Sequence, residues 1–196
     1  MPFVEPVPEA DASGEVAALY ASGREQFGYL PNMHRGFSLR PEYWNAWGPL
    51  LGAIRDRMDA RRYEVATVGA ATALKSSYCS LAHGEILARD HLSADAVAAL
   101  VRDPDTAGIA PVDVAVFKFA QAVVRDASEV TDAMVAELRA FGISDAEICD
   151  IAAAASVRCF FSKYLDALGV APDAAYRALP DTLRAALTVG RDIEDG

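Results

Sequence analysis

The chain has 196 residues, 53% of them hydrophobic, with a mean hydropathy of +0.13. That length suits a single domain, 1–196, with a sizeable core, and no apolar run approaches the roughly 18 to 20 residues that a membrane span needs. The balance of 18 Lys and Arg against 28 Asp and Glu leaves a formal charge of −10, scattered along the chain, which a phosphate backbone or an anionic membrane would repel, so neither nucleic acid nor membrane is expected as a partner.

Residues 1–12 contain Pro2, Pro6 and Pro8 among acidic and small residues and read as an extended N-terminal arm. They show no basic n-region and no apolar h-region, which predicts a cytoplasmic location. From about Ser13 the spacing Val16, Tyr20, Gly23, Phe27 predicts a helix closed by Gly28 and Pro31. Leu30-Pro31-Asn32 opens a short helical segment through Met33, His34 and Phe37. Pro41 starts a third helix, whose stripe Trp44, Trp47, Leu51, Ile54, Met58 reads as core or subunit interface.

Asp59 is placed to cap a helix through Glu64, Val65, Val68 and Thr72 to about Lys75, which Ser76-Ser77 interrupts. The next helix runs from Tyr78 to about Asp90 with His91 in its last turn, and Ser93 caps another across Val97 and Leu100. The stripe Val112, Val116, Phe119, Val123 and then Met134, Leu138, Phe141 predict two more helices, the second stopped by Gly142. Ser144 and Glu147 have the form of a capping box for a long helix from about Asp145 to Leu168, stopped by Gly169, and a helical tail follows Pro172. With no alternating strand pattern and no hairpin signal, the chain reads as all-α.

The stretch from Glu64 to His83 carries the chemistry. Cys79 and His83 are four apart, so on a helix they share a face and can hydrogen-bond, and Ser76 lies three residues before Cys79 on that face. If 59–91 folds as an antiparallel helical hairpin pivoting near Ala73 and Leu74, Glu64 falls opposite His83. A thiol in a first helical turn beside an imidazole is a nucleophile candidate: His83 would take its proton and Glu64 would orient His83. Cys149 and Cys159 complete an odd set of three at wide spacing, which suits free thiols rather than a disulfide framework. Both read as buried small hydrophobes; Cys159 falls on the spacing Ile148, Ala152, Ala155, Cys159, facing the core as a possible resolving thiol. One Cys and one His on a helix fall short of a zinc site, and no Gly-rich phosphate loop implies a nucleotide cofactor.

On these residues the chain resembles the alkylhydroperoxidase D (AhpD) and carboxymuconolactone decarboxylase superfamily, whose signature is a Glu, then Cys-x-x-Cys, then three residues and a His. Glu64, Cys79 and His83 match the Glu, second Cys and His; Ser76 stands in place of the first Cys, and Tyr78 where a His is common. Leu30-Pro31-Asn32 and the stretch from Leu165 to Val170 look like the peroxidase-related branch, so the resemblance covers roughly Leu30 to Asp173. It implies an AhpD-like helical bundle with its site on the hairpin, a homo-oligomer of dimeric, trimeric or hexameric build, and a peroxide substrate with a thiol reductant. Ser76 leaves Cys79 without a partner for a local disulfide, so a one-thiol scheme through a sulfenic acid replaces the two-thiol cycle. Two other readings compete: a decarboxylase-like lyase acting on a small lactone acid, for which the sequence reveals no cationic anchor, and a catalytically silent oligomer serving as scaffold or ligand binder.

Overall fold

The computed structural model describes residues 2–195, and among them there are helices and turns but no strand. Ten α-helices follow one another: α1 (Gly14–Phe27), α2 (Asn32–Gly36), α3 (Pro41–Arg55), α4 (Ala60–Ala73), α5 (Ser77–Asp90), α6 (Ala94–Arg102), α7 (Pro111–Asp126), α8 (Asp132–Ala140), α9 (Asp145–Ala167) and α10 (Asp181–Leu187). The boundaries follow local chemistry. The Asp59 carboxylate accepts from the Arg62 N–H at 2.9 Å and the Ser93 hydroxyl from the Ala96 N–H at 3.1 Å, each satisfying a donor that the helix start leaves free. Ser144 and Glu147 close the capping box of α9, and Gly28 ends α1 in the left-handed region at φ 79°.

At the centre lies α4, where the nine consecutive residues from Tyr63 to Ala71 are all buried. A helix buried on every side must present small groups wherever a neighbour comes close. Gly69 does so against α7: a Cβ there would lie 2.6 Å from the Phe117 carbonyl oxygen. Around α4 pack α5, α7 and α9, while α10 closes over α5 and α6. Arg61 pairs with the buried Asp113 of α7 and Arg62 with Glu147 of α9, which fixes the first turn of α4 against both neighbours.

α4 and α5 form the antiparallel hairpin. Its turn is a Schellman motif in which Ser76 N–H donates to Ala71 O at 3.0 Å and Lys75 N–H to Thr72 O at 3.1 Å, with Lys75 rather than glycine in the left-handed region at φ 57°. The C-terminal tail clamps this turn, since Gly190 N–H donates to Ser77 Oγ at 2.8 Å. No helix among the described residues is long and apolar enough to cross a membrane.

The α3 stripe is half-buried: Trp44 and Trp47 pack against the core, and together with Leu51 they also line a cavity. Two expectations need correcting. The inner seam of α9 runs Ile148, Ile151, Ala155, Arg158, Ser162, Leu165, all buried at alternating spacings of three and four. Consequently Cys149 is exposed and Cys159 only partly buried; a step of one residue turns a side chain about 100° around a helix, and the inward position belongs to Arg158.

Candidate active site

Burial makes the local chemistry strong. Glu64, on the buried α4, is 7% exposed, and its Oε2 lies 2.7 Å from His83 Nδ1 of α5. The hairpin therefore brings together the carboxylate and imidazole that lie 19 residues apart. A carboxylate can only accept here, so Nδ1 carries the hydrogen and Nε2 keeps its lone pair free to take a proton. Burial pulls the His83 pKa below the ordinary histidine value and the nearby Arg158 charge pulls the same way, while Glu64 opposes them. The net direction is down, which favours the neutral imidazole at neutral pH.

Cys79 is the third residue of α5, in the first turn, where free N–H groups favour an anion. Its side chain is 2% exposed and lines the same cavity as Glu64 and His83. The polar group that reaches its sulfur is Arg158, with Nη1 at 3.9 Å from Sγ. Ser76 is the N-cap of α5 and wholly buried, but its hydroxyl makes neither a capping bond nor a bond to Cys79. Cys159 does not line the cavity.

Tyr78 is built into the wall. Its hydroxyl donates to the buried Asp173 and accepts from the Met33 N–H at 3.1 Å. Asn32 completes the knot: its N–H donates to Asp173 Oδ1 at 2.7 Å and its side-chain amide to Glu194 Oε2 at 2.7 Å. Leu30-Pro31-Asn32 thus anchors the start of α2 to the C-terminal tail and to the residue preceding Cys79. Burial raises the Tyr78 phenol and the Asp173 carboxyl above their usual ranges, and a protonated phenol is the donor this arrangement requires.

The cavity encloses about 780 Å³, within the range typical of small-molecule sites. Trp44, Trp47, Tyr63 and Phe161 are among its walls, and Arg158 reaches in from α9. The guanidinium is 1% exposed and sits 5.6 Å from the ring centres of both Trp47 and Phe161, a cation–π arrangement. Sequence reasoning misses Arg158 because an arginine in a helix counts as solvent face. The signal that would have found it is its place on the apolar seam of α9. Among the described residues no group of three or more His, Cys, Asp or Glu is arranged to hold a metal ion.

No protein-family model matches the chain, and no curated protein matches it in sequence. Solved structures do match in fold. An uncharacterized peroxidase-related protein from Ralstonia eutropha JMP134, described as an alkylhydroperoxidase AhpD core, superposes with a TM-score of 0.79 at 21% identity, covering 89% of this chain and 94% of that one. A second uncharacterized peroxidase-related protein, from Silicibacter sp. TM1040, gives 0.72 at 23% identity over 90% and 92%. The debrominase Bmp8, as a cysteine-to-alanine variant in complex with 2,3,4-tribromopyrrole, gives 0.74 at 20% identity over 93% and 96%. The chain therefore has the all-α AhpD-like fold, shared by proteins described as peroxidase-related and by a debrominase.

Proposed function

We propose that this protein is a single-thiol oxidoreductase that reduces hydroperoxides, with Cys79 as nucleophile, His83 as base and Glu64 as the group that orients it. The observation carrying the reading is the pairing of Glu64 with His83 at 2.7 Å in the cavity that Cys79 lines. His83 Nε2 takes the thiol proton, directly or through a bound water, and the thiolate attacks the peroxide O–O bond. Cys79 becomes a sulfenic acid, and the leaving alkoxide takes a proton and departs as an alcohol. An external thiol then condenses with the sulfenic acid, releasing water, and a second external thiol frees Cys79 as the disulfide of the two reductants leaves. Tyr78 supports the site as part of its wall, and Ser76 as the buried residue at the N-terminal end of α5.

The test is consumption of cumene hydroperoxide or hydrogen peroxide with dithiothreitol as reductant. Cys79→Ser loses it, and the double variant Cys149→Ser, Cys159→Ser keeps it. An unchanged rate in Cys79→Ser overturns the reading. A rate lost in the double variant instead would reinstate an internal resolving thiol.

A second reading is favoured by one observation: the walls are aromatic, as suits a planar ring better than a small peroxide. In it the Cys79 thiolate takes a halogen from an aryl carbon as a sulfenyl halide while the carbon takes a proton, and an external thiol then releases halide and forms a disulfide. The likeness to a debrominase supports it. Bromide release from a bromophenol or bromopyrrole under the same conditions separates the two reactions. For assembly we propose a homo-oligomer, supported by exposed Tyr43 and Leu50 on α3 and exposed Phe160 on α9; light scattering reads the copy number.

A further inference from the structure

A guanidinium taken out of water needs an anion or a full set of acceptors. Arg158 has neither. It is 1% exposed, and among the described residues no carboxylate forms an ion pair with it. Of its five N–H donors, one is directed at Cys79 Sγ at 3.9 Å and one at the Tyr63 hydroxyl at 3.4 Å. Its Nε has no acceptor at all. The indole N–H of Trp47, whose ring lies under the Arg158 guanidinium and lines the same cavity, is also buried without a partner. Two unpartnered donors and a buried positive charge thus belong to residues that line one chamber, among whose walls are aromatic rings.

We infer that the cavity binds a small planar aromatic anion, with its acidic group on Arg158 and the Trp47 N–H and its ring against Trp47 and Phe161, presented to Cys79. Trp47 and Phe161 already stack at 4.4 Å between ring centres, so a flat ring extends an existing stack. The charge pairing selects an anion over a neutral analogue of the same shape, because only the anion answers the buried cation. The inference depends on the Cys79 reading solely for what happens to the ligand afterwards. Binding itself needs only Arg158 and the walls.

Trp44 and Trp47 are the two tryptophans of the chain and both line the cavity, so intrinsic fluorescence reports its occupancy. Benzoate and benzamide, nearly identical in shape, are the probes. Benzoate is expected to quench saturably with a Kd at least tenfold below that of benzamide in the wild type and in Cys79→Ser, and Arg158→Gln is expected to erase the difference. Should Arg158→Gln fail to fold, the wild type provides an independent measurement: saturating benzoate slows iodoacetamide alkylation of Cys79 at least fivefold, and benzamide at the same concentration does not. Equal affinities for the two probes, or no quenching and no protection by either, overturn the inference. Benzoate selectivity without any peroxide or halide turnover would support it while removing the reaction proposed above.

Discussion

His83 sits between two opposite charges that act on it in opposite directions. Burial and the Arg158 charge depress its pKa, while the Glu64 carboxylate raises it. A base must be unprotonated to work, so the acid limb of the rate profile is expected below the ordinary histidine value of about 6.5. Glu64→Gln keeps the size of the side chain but removes its charge. The acid limb should then move to still lower pH, while the plateau falls by about tenfold to a hundredfold because the ring loses its orienting acceptor. Arg158→Gln removes the charge that opposes protonation, so its acid limb should move up. The measurement is kcat/KM for dithiothreitol-dependent peroxide reduction from pH 4.5 to 8 in the three proteins. Limbs that move together, or not at all, would remove His83 from the role of base.

The helices meet at points where only small groups fit, and these points differ in how far they can yield. A Cβ on Gly69 would meet the Phe117 carbonyl at 2.6 Å and its Cα at 3.2 Å, both backbone, so α4 and α7 would have to separate. A Cβ on Gly84 would come within 2.4 Å of Leu187 Cδ1, the end of a side chain that can change rotamer. Gly69→Ala is therefore expected to cost about 3 kcal/mol in urea unfolding, against about 1 kcal/mol for Gly84→Ala. Equal losses would mean that the contact between α4 and α7 is softer than its geometry implies. The same distinction between local and distant causes explains what the sequence revealed. Helix starts at Asp59, Ser93 and Ser144 depend on groups three residues apart, and the Cys79–His83 face depends on helix geometry alone, so both were legible. The approach of Glu64 to His83 required only one turn to be placed. The role of Arg158 depends on α9 crossing the hairpin 79 residues downstream of Cys79, which no local pattern encodes. The tryptophans of α3 were legible as a covered face packed against the core, but not as cavity walls, because an amphipathic stripe records that a face is covered and not what else lies beneath it.

Across the whole molecule, the arrangement over the cavity ties global stability to pH. His34 of α2 is 1% exposed and packs between Trp44, at 4.4 Å between ring centres, and Phe27, at 5.9 Å. Gly23 of α1 lets it in, since a Cβ there would meet its Cγ at 2.9 Å. Neither ring nitrogen has a partner, and burial pushes the pKa down from 6.5 to about 4. Between these two values the unfolded chain binds a proton at this residue and the folded chain does not. Acid therefore favours unfolding: the contribution is intact above pH 6.5, declines as the pH falls, and has lost about 3 kcal/mol by pH 4. His83, also depressed, adds a loss of the same sign, so the wild-type slope alone does not isolate His34. His34→Phe keeps a flat ring in the pocket and removes the titration. Urea midpoints of both proteins at pH 7, 5.5 and 4.5 should show the wild type losing more stability than the variant by about 2 to 3 kcal/mol at the lowest pH. Because His34 joins α1 and α2 to the α3 tryptophan that lines the cavity, benzoate quenching should weaken in the wild type over the same window and hold steadier in His34→Phe. Parallel stability curves for the two proteins would show that this ring is protonated in the fold as readily as in the unfolded chain.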